Sequence, residues 1–116
     1  MLENRPKKVV YYTYRSDEAD SPFGKWLASL KDKSVKRTIY ERIKRLELGH
    51  YGSHRNLKGG ILELKFDHGL RIYGAEIGTT ILVILCSGGK NTKRDQDKDI
   101  ARAGEYLRDF IDRLRK

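Results

Sequence analysis

The sequence predicts a small α+β domain: a mainly antiparallel, twisted sheet packed on an N-terminal helical hairpin, with a C-terminal helix. Two observations predict this class. Three short apolar runs between Leu57 and Lys93 are separated by the glycine turns Asp67–Gly69 and Glu76–Gly78, which is typical of an antiparallel meander. Before and after the meander, apolar residues recur at helical spacing. The predicted element order is therefore β-α-α-β-β-β-α.

The chain is predicted to begin with a strand followed by a helix. The strand extends from Lys8 to Tyr14, a segment rich in β-branched and aromatic residues. Ser21 and Pro22 are typical of a helix start, with serine as the N-cap and proline at the first helical position. The residues that then share one helical face are Phe23, Trp26, Leu27 and Leu30.

A second helix is predicted from about Val35 to Leu48. Its apolar stripe consists of Val35, Ile39, Ile43 and Leu46. Gly49 follows the last residue of this stripe, as glycine often does where a helix ends. Because only the short segment Asp32–Ser34 separates the two helices, we expect an antiparallel helical hairpin. The following residues, His50–Gly60, are expected to form a loop.

The register of the predicted meander places two cations side by side. If Asp67–Gly69 is a three-residue hairpin loop, Lys65 lies directly opposite Arg71, and Glu63 lies opposite Tyr73. Like charges that oppose each other on a sheet are unfavourable. The pair therefore indicates a surface prepared for an anion or, alternatively, two solvated charges with Glu63 nearby to balance them.

Alternation along the same strands divides the sheet into two faces. One face carries apolar residues such as Leu64 and Ile72, and we expect the helices to cover it. The other face carries Lys65, Arg71 and Tyr73. We expect this polar face to be open or to be covered only by a partner.

The end of the chain is predicted to be a strand, a polar loop and a helix. Gly88 and Gly89 break the last apolar run and open a loop from Lys90 to Lys98. The apolar stripe of the terminal amphipathic helix consists of Ile100, Ala103 or Gly104, Leu107, Ile111 and Leu114. The single cysteine, Cys86, falls within the last strand and is expected to be a small buried apolar group.

Length and composition limit the functional classes. Residues 1–116 make one domain of ordinary size. Lys and Arg number 25 against 16 acidic residues, a net charge of +9, which suggests a polyanionic partner. No apolar run is long enough to span a membrane and the first residues lack a signal-peptide core, so we expect a cytoplasmic protein with no membrane partner. Three histidines and one cysteine show no zinc spacing, so no metal or cofactor is expected.

Five short motifs stand out between about residues 20 and 107. They are Phe23 to Leu30, Leu62–Lys65, Gly69–Tyr73, Ile84 to Lys90 and Asp99 to Ala103. Their order and spacing resemble the toxins of bacterial type II toxin–antitoxin systems in the RelE/ParE superfamily, in particular the HigB-like addiction-module killer proteins. The resemblance implies a twisted sheet on two N-terminal helices and metal-independent cleavage of mRNA in the ribosomal A site. It also implies a neutralising antitoxin, expected to be a helix-turn-helix protein encoded next to the toxin.

The resemblance also implies candidate catalytic residues. Arg71 matches the family's strand arginine, and Lys65 matches the basic residue that closes its Leu-x-Glu-Leu-Arg segment. Lys90 matches the lysine that follows the last strand. Arg71 suits stabilisation of a phosphorane because its planar guanidinium matches a phosphate and stays protonated. The general acid and base stay open, since no histidine follows His68 and only Tyr106 lies in the last helix.

Lys65 and several other residues are expected to assist Arg71. Lys65, crowded by Arg71, suits a base or a second phosphate clamp because like charges favour loss of its proton. Tyr73 can stack on a base or support the rim of the core. His54 is either a proton shuttle or an exposed loop residue. The other residues expected to bind RNA are Arg55, Lys58, Lys93 and Arg94.

Three other functions remain open at the level of sequence. A toxin of the same fold that inhibits DNA gyrase, as ParE members do, would not need a cationic cluster on the sheet. A basic RNA-binding module without catalysis would show salt-dependent binding and no cleavage. An interaction subunit would use its basic face only to hold an acidic segment of an antitoxin.

Overall fold

The computed structural model describes residues 5–14, 20–89 and 92–115. Within them the fold is α+β, with one five-stranded mixed sheet and three α-helices. The strands are β1 (Lys8–Tyr11), β2 (His54–Asn56), β3 (Leu62–Lys65), β4 (Arg71–Ile77) and β5 (Ile81–Gly88). The helices are α1 (Pro22–Ser29), α2 (Lys33–Glu47) and α3 (Lys93–Leu114).

The strand order across the sheet is β1-β5-β4-β3-β2. β1 is parallel to β5, and the other neighbours are antiparallel, so the predicted meander is confirmed as β3, β4 and β5. β1 ends at Tyr11 rather than at Tyr14. The sequence predicts only a loop from His50 to Gly60, whereas β2 lies within it. Three polar residues have no apolar alternation, so only the pairing with β3 reveals this strand.

Local side-chain contacts account for the ends of the first two helices. The Oγ of Ser21 accepts a hydrogen bond from the amide of Gly24 at 2.9 Å, and Pro22 is the first helical residue, as predicted. The carboxylate of Asp32 caps α2. Gly49 follows the end of α2 with a φ of +87°, a left-handed conformation that glycine adopts at little cost.

α3 begins earlier than the sequence predicts. A polar loop is expected up to Lys98, but the helix already begins at Lys93. The Oγ1 of Thr92 accepts a hydrogen bond from the amide of Asp95 at 3.3 Å. This cap, rather than an apolar stripe, explains why the polar residues are helical. In the parts of the chain that the structure describes, no helix is long and apolar enough to cross a membrane.

Two apolar clusters lie on opposite faces of the sheet. α1 and α2 cover the face that carries Leu64 and Ile72, as predicted. α3 packs on the other face, where Leu107 joins Tyr73 and Leu85 in a second cluster. The expectation that this polar face is open or covered only by a partner is therefore wrong for the part of it that carries Tyr73. β5 is apolar on both faces, and the apolar stripe of α3 is buried against it.

A β-bulge lies in the middle of the sheet. The pairing of β4 with β5 shifts register at Gly74, which leaves Leu85 as an extra residue on β5. Gly74 is required there, because a Cβ would lie 2.7 Å from the carbonyl oxygen of Val83. The next residue, Cys86, is buried as predicted, and burial raises the pKa of its thiol to about 11. The thiol therefore stays protonated at neutral pH.

Candidate anion site on the sheet

The two cations identified in the sequence are neighbours in the structure. A three-residue turn, Asp67–Gly69, joins β3 to β4. Lys65 lies opposite Arg71, and Glu63 lies opposite Tyr73. Both predicted register pairs are confirmed, because turn length and strand alternation together determine the register of a hairpin.

The guanidinium of Arg71 is held on two sides. Its Nη1 donates a hydrogen bond to the carbonyl oxygen of Gly69 at 3.2 Å, and its Nε lies 3.6 Å from Oε2 of Glu63. The Arg71 side chain is 21% exposed. Among the described residues, neither Nη2 of Arg71 nor Nζ of Lys65 has a hydrogen-bond partner. The pair therefore presents charged donors that suit the oxygens of a phosphate or carboxylate.

Glu63 links cations from two neighbouring strands. Arg55 on β2 pairs with Glu63 in register, and its Nη2 lies 3.2 Å from Oε1. The Glu63 side chain is fully buried, so its charge is stabilised by Arg55 on one side and by Arg71 on the other. Arg55 is 54% exposed, which leaves it open to a ligand. From the sequence, Glu63 is expected only to balance the charge of Lys65 and Arg71. Its contact with Arg55 is not predicted, because β2, the strand that carries Arg55, is not predicted.

A buried arginine of α2 holds the backbone around Lys65. Arg42 donates hydrogen bonds to the carbonyl oxygens of Tyr51, Lys65 and Ser53 at 2.8, 2.9 and 2.7 Å. Its guanidinium also lies 4.7 Å from the centroid of the Phe66 ring. Burial lowers the pKa of Arg42. Arg42 thus stabilises the backbone at Lys65 from the face of the sheet that α1 and α2 cover.

Tyr73 does not have the exposure that base stacking needs. Its ring is 0% exposed and lies in the cluster beneath α3. The prediction that Tyr73 stacks on RNA is therefore wrong, and the alternative of core support agrees with its burial. Burial and the nearby carboxylates of Glu63 and Asp99 raise the pKa of Tyr73 to about 12.

Two other candidate residues lie away from the pair. Lys58 belongs to the turn Lys58–Gly60 before β3, whereas Lys65 ends that strand. At about 3.3 Å per residue, the strand separates the two lysines by more than about 10 Å. His54 pairs with Leu64, which faces the helices, so its side chain lies on the face opposite to Lys65. Neither residue joins the cluster.

The first turn of α3 contains two of the predicted cations. Lys93 and Arg94 are exposed and follow β5, whose last residue, Gly88, pairs with Arg71. They are helical residues rather than members of the predicted loop. Lys90 lies outside the described residues, so its catalytic role stays a prediction.

The carboxylate of Asp99 occupies the space beside Gly88. A Cβ on Gly88 would lie 2.6 Å from Oδ2 of Asp99 and 3.0 Å from Cε2 of Tyr73. Asp99 therefore lies beside the strand residue that pairs with Arg71, on the polar face. No functional role for Asp99 is predicted from the sequence. Thr92 followed by an acidic residue three positions later is a pattern typical of a helix start. This pattern could have predicted that Asp99 lies in a helix rather than in a loop.

Four buried polar atoms meet at this end of the sheet without a hydrogen-bond partner among the described residues. They are Oε1 of Glu63, Nε of Arg71, the hydroxyl of Tyr73 and Oδ2 of Asp99. The first two are in ion pairs that lack hydrogen-bond geometry. An unsatisfied buried group costs about 1–3 kcal/mol, and native proteins contain few of them. This end of the sheet therefore concentrates buried polar atoms that lack a hydrogen-bond partner among the described residues.

Comparison with known proteins identifies one relative of this chain and no matching family model. No family model matches it. A protein of Haemophilus influenzae described as uncharacterized is 40% identical over 83 residues, which make up 70% of this chain and 81% of that protein. Identity at this level over most of both chains shows common descent. The chain therefore belongs to the same family as this Haemophilus influenzae protein.

Proposed function

We propose that this protein is the toxin of a bacterial type II toxin–antitoxin system and cleaves ribosome-bound mRNA without a metal ion, which inhibits translation. The observation that carries the proposal is the Lys65–Arg71 pair: the two residues are cross-strand neighbours beside the buried Glu63, and among the described residues neither Nζ of Lys65 nor Nη2 of Arg71 has a hydrogen-bond partner. The proposed arrangement is RelE/ParE-like, with a twisted sheet on two N-terminal helices. The proposed location is the cytoplasm, where mRNA and ribosomes are found.

The proposed chemistry uses Arg71 for charge stabilisation. Attack of the ribose 2′-oxygen on the neighbouring phosphorus produces a phosphorane with additional negative charge. The guanidinium of Arg71 is already oriented by Gly69 and Glu63, so it can bind the phosphorane oxygens without first becoming ordered. Lys65 supplies a second positive charge and a proton for the leaving 5′-oxygen.

The same surface suits neutralisation by an antitoxin. Carboxylates of the partner would take the place of the phosphate at Lys65 and Arg71. Arg55 is exposed in register with Glu63, and the exposed Lys93 and Arg94 of α3 add further positive charge that could bind the partner. We propose that the partner is a helix-turn-helix protein encoded next to the toxin gene.

The proposal predicts that Arg71→Ala abolishes toxicity while the domain still folds. The Arg71 side chain is partly exposed and belongs to neither apolar cluster, so its loss leaves no core cavity. Glu63 loses one of its two cations, for which we expect a loss of about 1–3 kcal/mol in the free energy of unfolding. The measurements are growth after induction, mapping of mRNA 5′ ends and a thermal melt.

The matched control for this variant is Arg37→Ala. Arg37 is an exposed arginine of α2, on the other side of the sheet, and its removal changes the net charge equally. The Arg37 variant should stay toxic. A fully toxic Arg71→Ala protein would contradict the assignment. Growth arrest with intact mRNA and inhibited gyrase would instead favour a ParE-like toxin, and RNA binding without cleavage a non-catalytic module.

A further inference from the structure

β1 lies at one edge of the sheet, and its outer side is unpaired among the described residues. The amide of Tyr12, directly after β1, donates to the carbonyl oxygen of Ile84 on β5 at 2.8 Å. Backbone groups alternate in direction along a strand, so the N–H and C=O groups of Val9 and Tyr11 face away from β5. An edge of this kind is a template for another strand.

Contacts on both sides limit this free edge to two residues. The amide of Lys7 donates to the carbonyl oxygen of Glu47, the last residue of α2, at 2.9 Å. The carbonyl oxygen of Thr13 accepts a hydrogen bond from Arg113 on α3. The two outward residues between these contacts retain backbone groups with which a second strand can pair.

A groove of about 740 Å³ runs beside the free edge, between β1 and the helices α1 and α2. The side chains of Val9 and Tyr11 lie on this helix-covered face and pack against the apolar cluster there. The other apolar residues that line the groove are Val10, Ala28 and Ile43. The groove therefore offers apolar surface to the side chains of an added strand, next to the backbone groups that would pair with it.

Two opposite charges lie at opposite ends of the groove. Glu47 is exposed and lies at the end near Lys7, to which its backbone is hydrogen-bonded. The Lys25 side chain is 66% exposed and follows Gly24, whose Cβ would lie 3.9 Å from the ring of Tyr11. Lys25 therefore lies at the Tyr11 end of the groove.

We propose that this edge is a homodimer interface, on which β1 of a second copy of the chain adds antiparallel around a two-fold axis at Val10. Val9 then pairs with Tyr11 of the second copy, Tyr11 pairs with its Val9, and each pair exchanges two backbone hydrogen bonds. Side chains paired across strands share a face, so those of the second copy lie on the helix-covered face along the groove. The two sheets become one continuous sheet.

Self-complementary charge favours a second copy as the occupant. The two-fold arrangement brings the Glu47 end of one groove to the Lys25 end of the other, so the same ion pair forms twice. Lys8 lies opposite Tyr12 of the second copy, so no like charges oppose each other on the paired strands. Lys25 also lies 3.5 Å from Asp20, and its exposed ammonium group can contact both carboxylates. A peptide of a single charge sign would meet a like charge at one end of the groove.

The dimer goes beyond the proposed function and leaves its site accessible. β5 and β4 separate β1 from β3 in the sheet. Lys65 on β3 and Arg71 on β4 are therefore outside the interface. Each copy retains its own anion site on the outer part of the joined sheet.

The test measures self-association of the full chain by sedimentation at concentrations from roughly 1 μM to 1 mM. We expect a dimer fraction that rises with concentration. The net charge of +9 opposes association, so the buffer contains about 0.15 M salt, which limits the repulsion to roughly 8 Å. Amide hydrogen exchange is recorded on the same samples, and exchange at Val9 and Tyr11 should slow as the dimer forms.

Two variants weaken the interface by different means. Val9→Pro removes an outward N–H but no hydrogen bond to β5, and proline is tolerated on edge strands, so this variant should be monomeric throughout. Glu47→Lys places like charges at both symmetric contacts and should raise the dissociation constant roughly tenfold or more. Lysine suits the C-terminal end of a helix, so the monomer should stay folded. The matched control, Glu41→Lys, makes the same charge change on the exposed surface of α2 outside the groove and should dimerise like the wild type.

A wild-type chain that is monomeric over the whole range would overturn the inference, as would a dimer that Val9→Pro and Glu47→Lys form as well as the wild type does. Unchanged exchange at Val9 and Tyr11 in a dimeric sample would place the interface elsewhere and also overturn it. This measurement needs no substitution, so it decides the question even where Val9→Pro does not fold. None of these results depends on toxicity or RNA cleavage, so the proposed function is tested separately.

Discussion

Lys65 and Arg71 oppose each other on neighbouring strands, and the two cations are compensated unequally. Arg71 has the carboxylate of Glu63 3.6 Å from its Nε. Lys65 forms no ion pair with the residues that the structure describes. Opposed like charges destabilise a sheet, so a bound anion between the two side chains should stabilise the fold.

This residue-scale argument predicts that sulfate raises the melting temperature more in the wild type than in a Lys65→Ala variant. The variant offers an anion one cation fewer. The measurement is a thermal melt at constant ionic strength in sulfate and in chloride. Because sulfate also stabilises proteins through exclusion from their surfaces, the difference between the two proteins is the relevant quantity.

A lysine at the other end of the same strand provides the control. Lys58→Ala removes the same charge from the turn before β3 and should leave the sulfate effect at its wild-type value. An identical sulfate effect in the wild type and Lys65→Ala would mean that Lys65 and Arg71 do not share an anion.

At the scale of the element, α1 is anchored mainly by one aromatic residue. Phe23 is 0% exposed, and its ring centroid lies 4.9 Å from that of Tyr11 on β1. Trp26 is only partly buried at the edge of the same cluster. The sequence places Phe23 and Trp26 on one helical face, and helical spacing alone cannot rank residues that share a face.

We therefore predict that Phe23→Ala destabilises the domain more than Trp26→Ala does. Truncation of a fully buried phenylalanine costs about 3–5 kcal/mol, a large share of the roughly 5–15 kcal/mol that stabilises a domain of this kind. A partly exposed side chain loses fewer contacts. Urea denaturation of both variants measures the two free energies of unfolding, and an equal or reversed order would contradict the burial argument.

α3 determines how much of the polar face stays accessible. Its residues contact Tyr12, directly after β1; the Tyr12 hydroxyl donates to Asp109 at 2.6 Å, and the Tyr12 ring stacks on Tyr106 at 4.7 Å. It also packs on β5 and β4, in the middle of the sheet. β3 and β2 lie beyond β4, so Lys65 and Arg55 remain at the edge that the helix does not cover.

At the scale of the whole molecule, the net charge of +9 predicts RNA binding that weakens with salt. Each phosphate contact to a single strand contributes a slope of roughly −0.7 in a plot of log affinity against log salt. Arg71→Ala and Lys65→Ala should each reduce the slope by about one such contact, whereas Arg37→Ala should leave it unchanged. Salt titration of binding to a non-cleavable oligonucleotide tests this. Equal slopes for all variants would place the RNA elsewhere.

Local patterns in the sequence determined much of this protein. Turn residues and strand alternation predicted the meander and the pairing of Lys65 with Arg71, which the structure confirms. Ser21 and Pro22 likewise predicted the start of α1. These features depend on hydrogen bonds and steric limits among residues close together in the chain, so a short segment contains the information that specifies them.

Only the tertiary structure decided what surrounds the cationic pair. The pairing of β2 with β3 brings Arg55 to Glu63, and the packing of α3 buries Tyr73 and carries Asp99 to Gly88. Each of these contacts joins segments that are separate in the sequence. They form because apolar surface on α3 and on β5 must be buried together, and a local pattern shows that a surface is apolar but not which surface covers it.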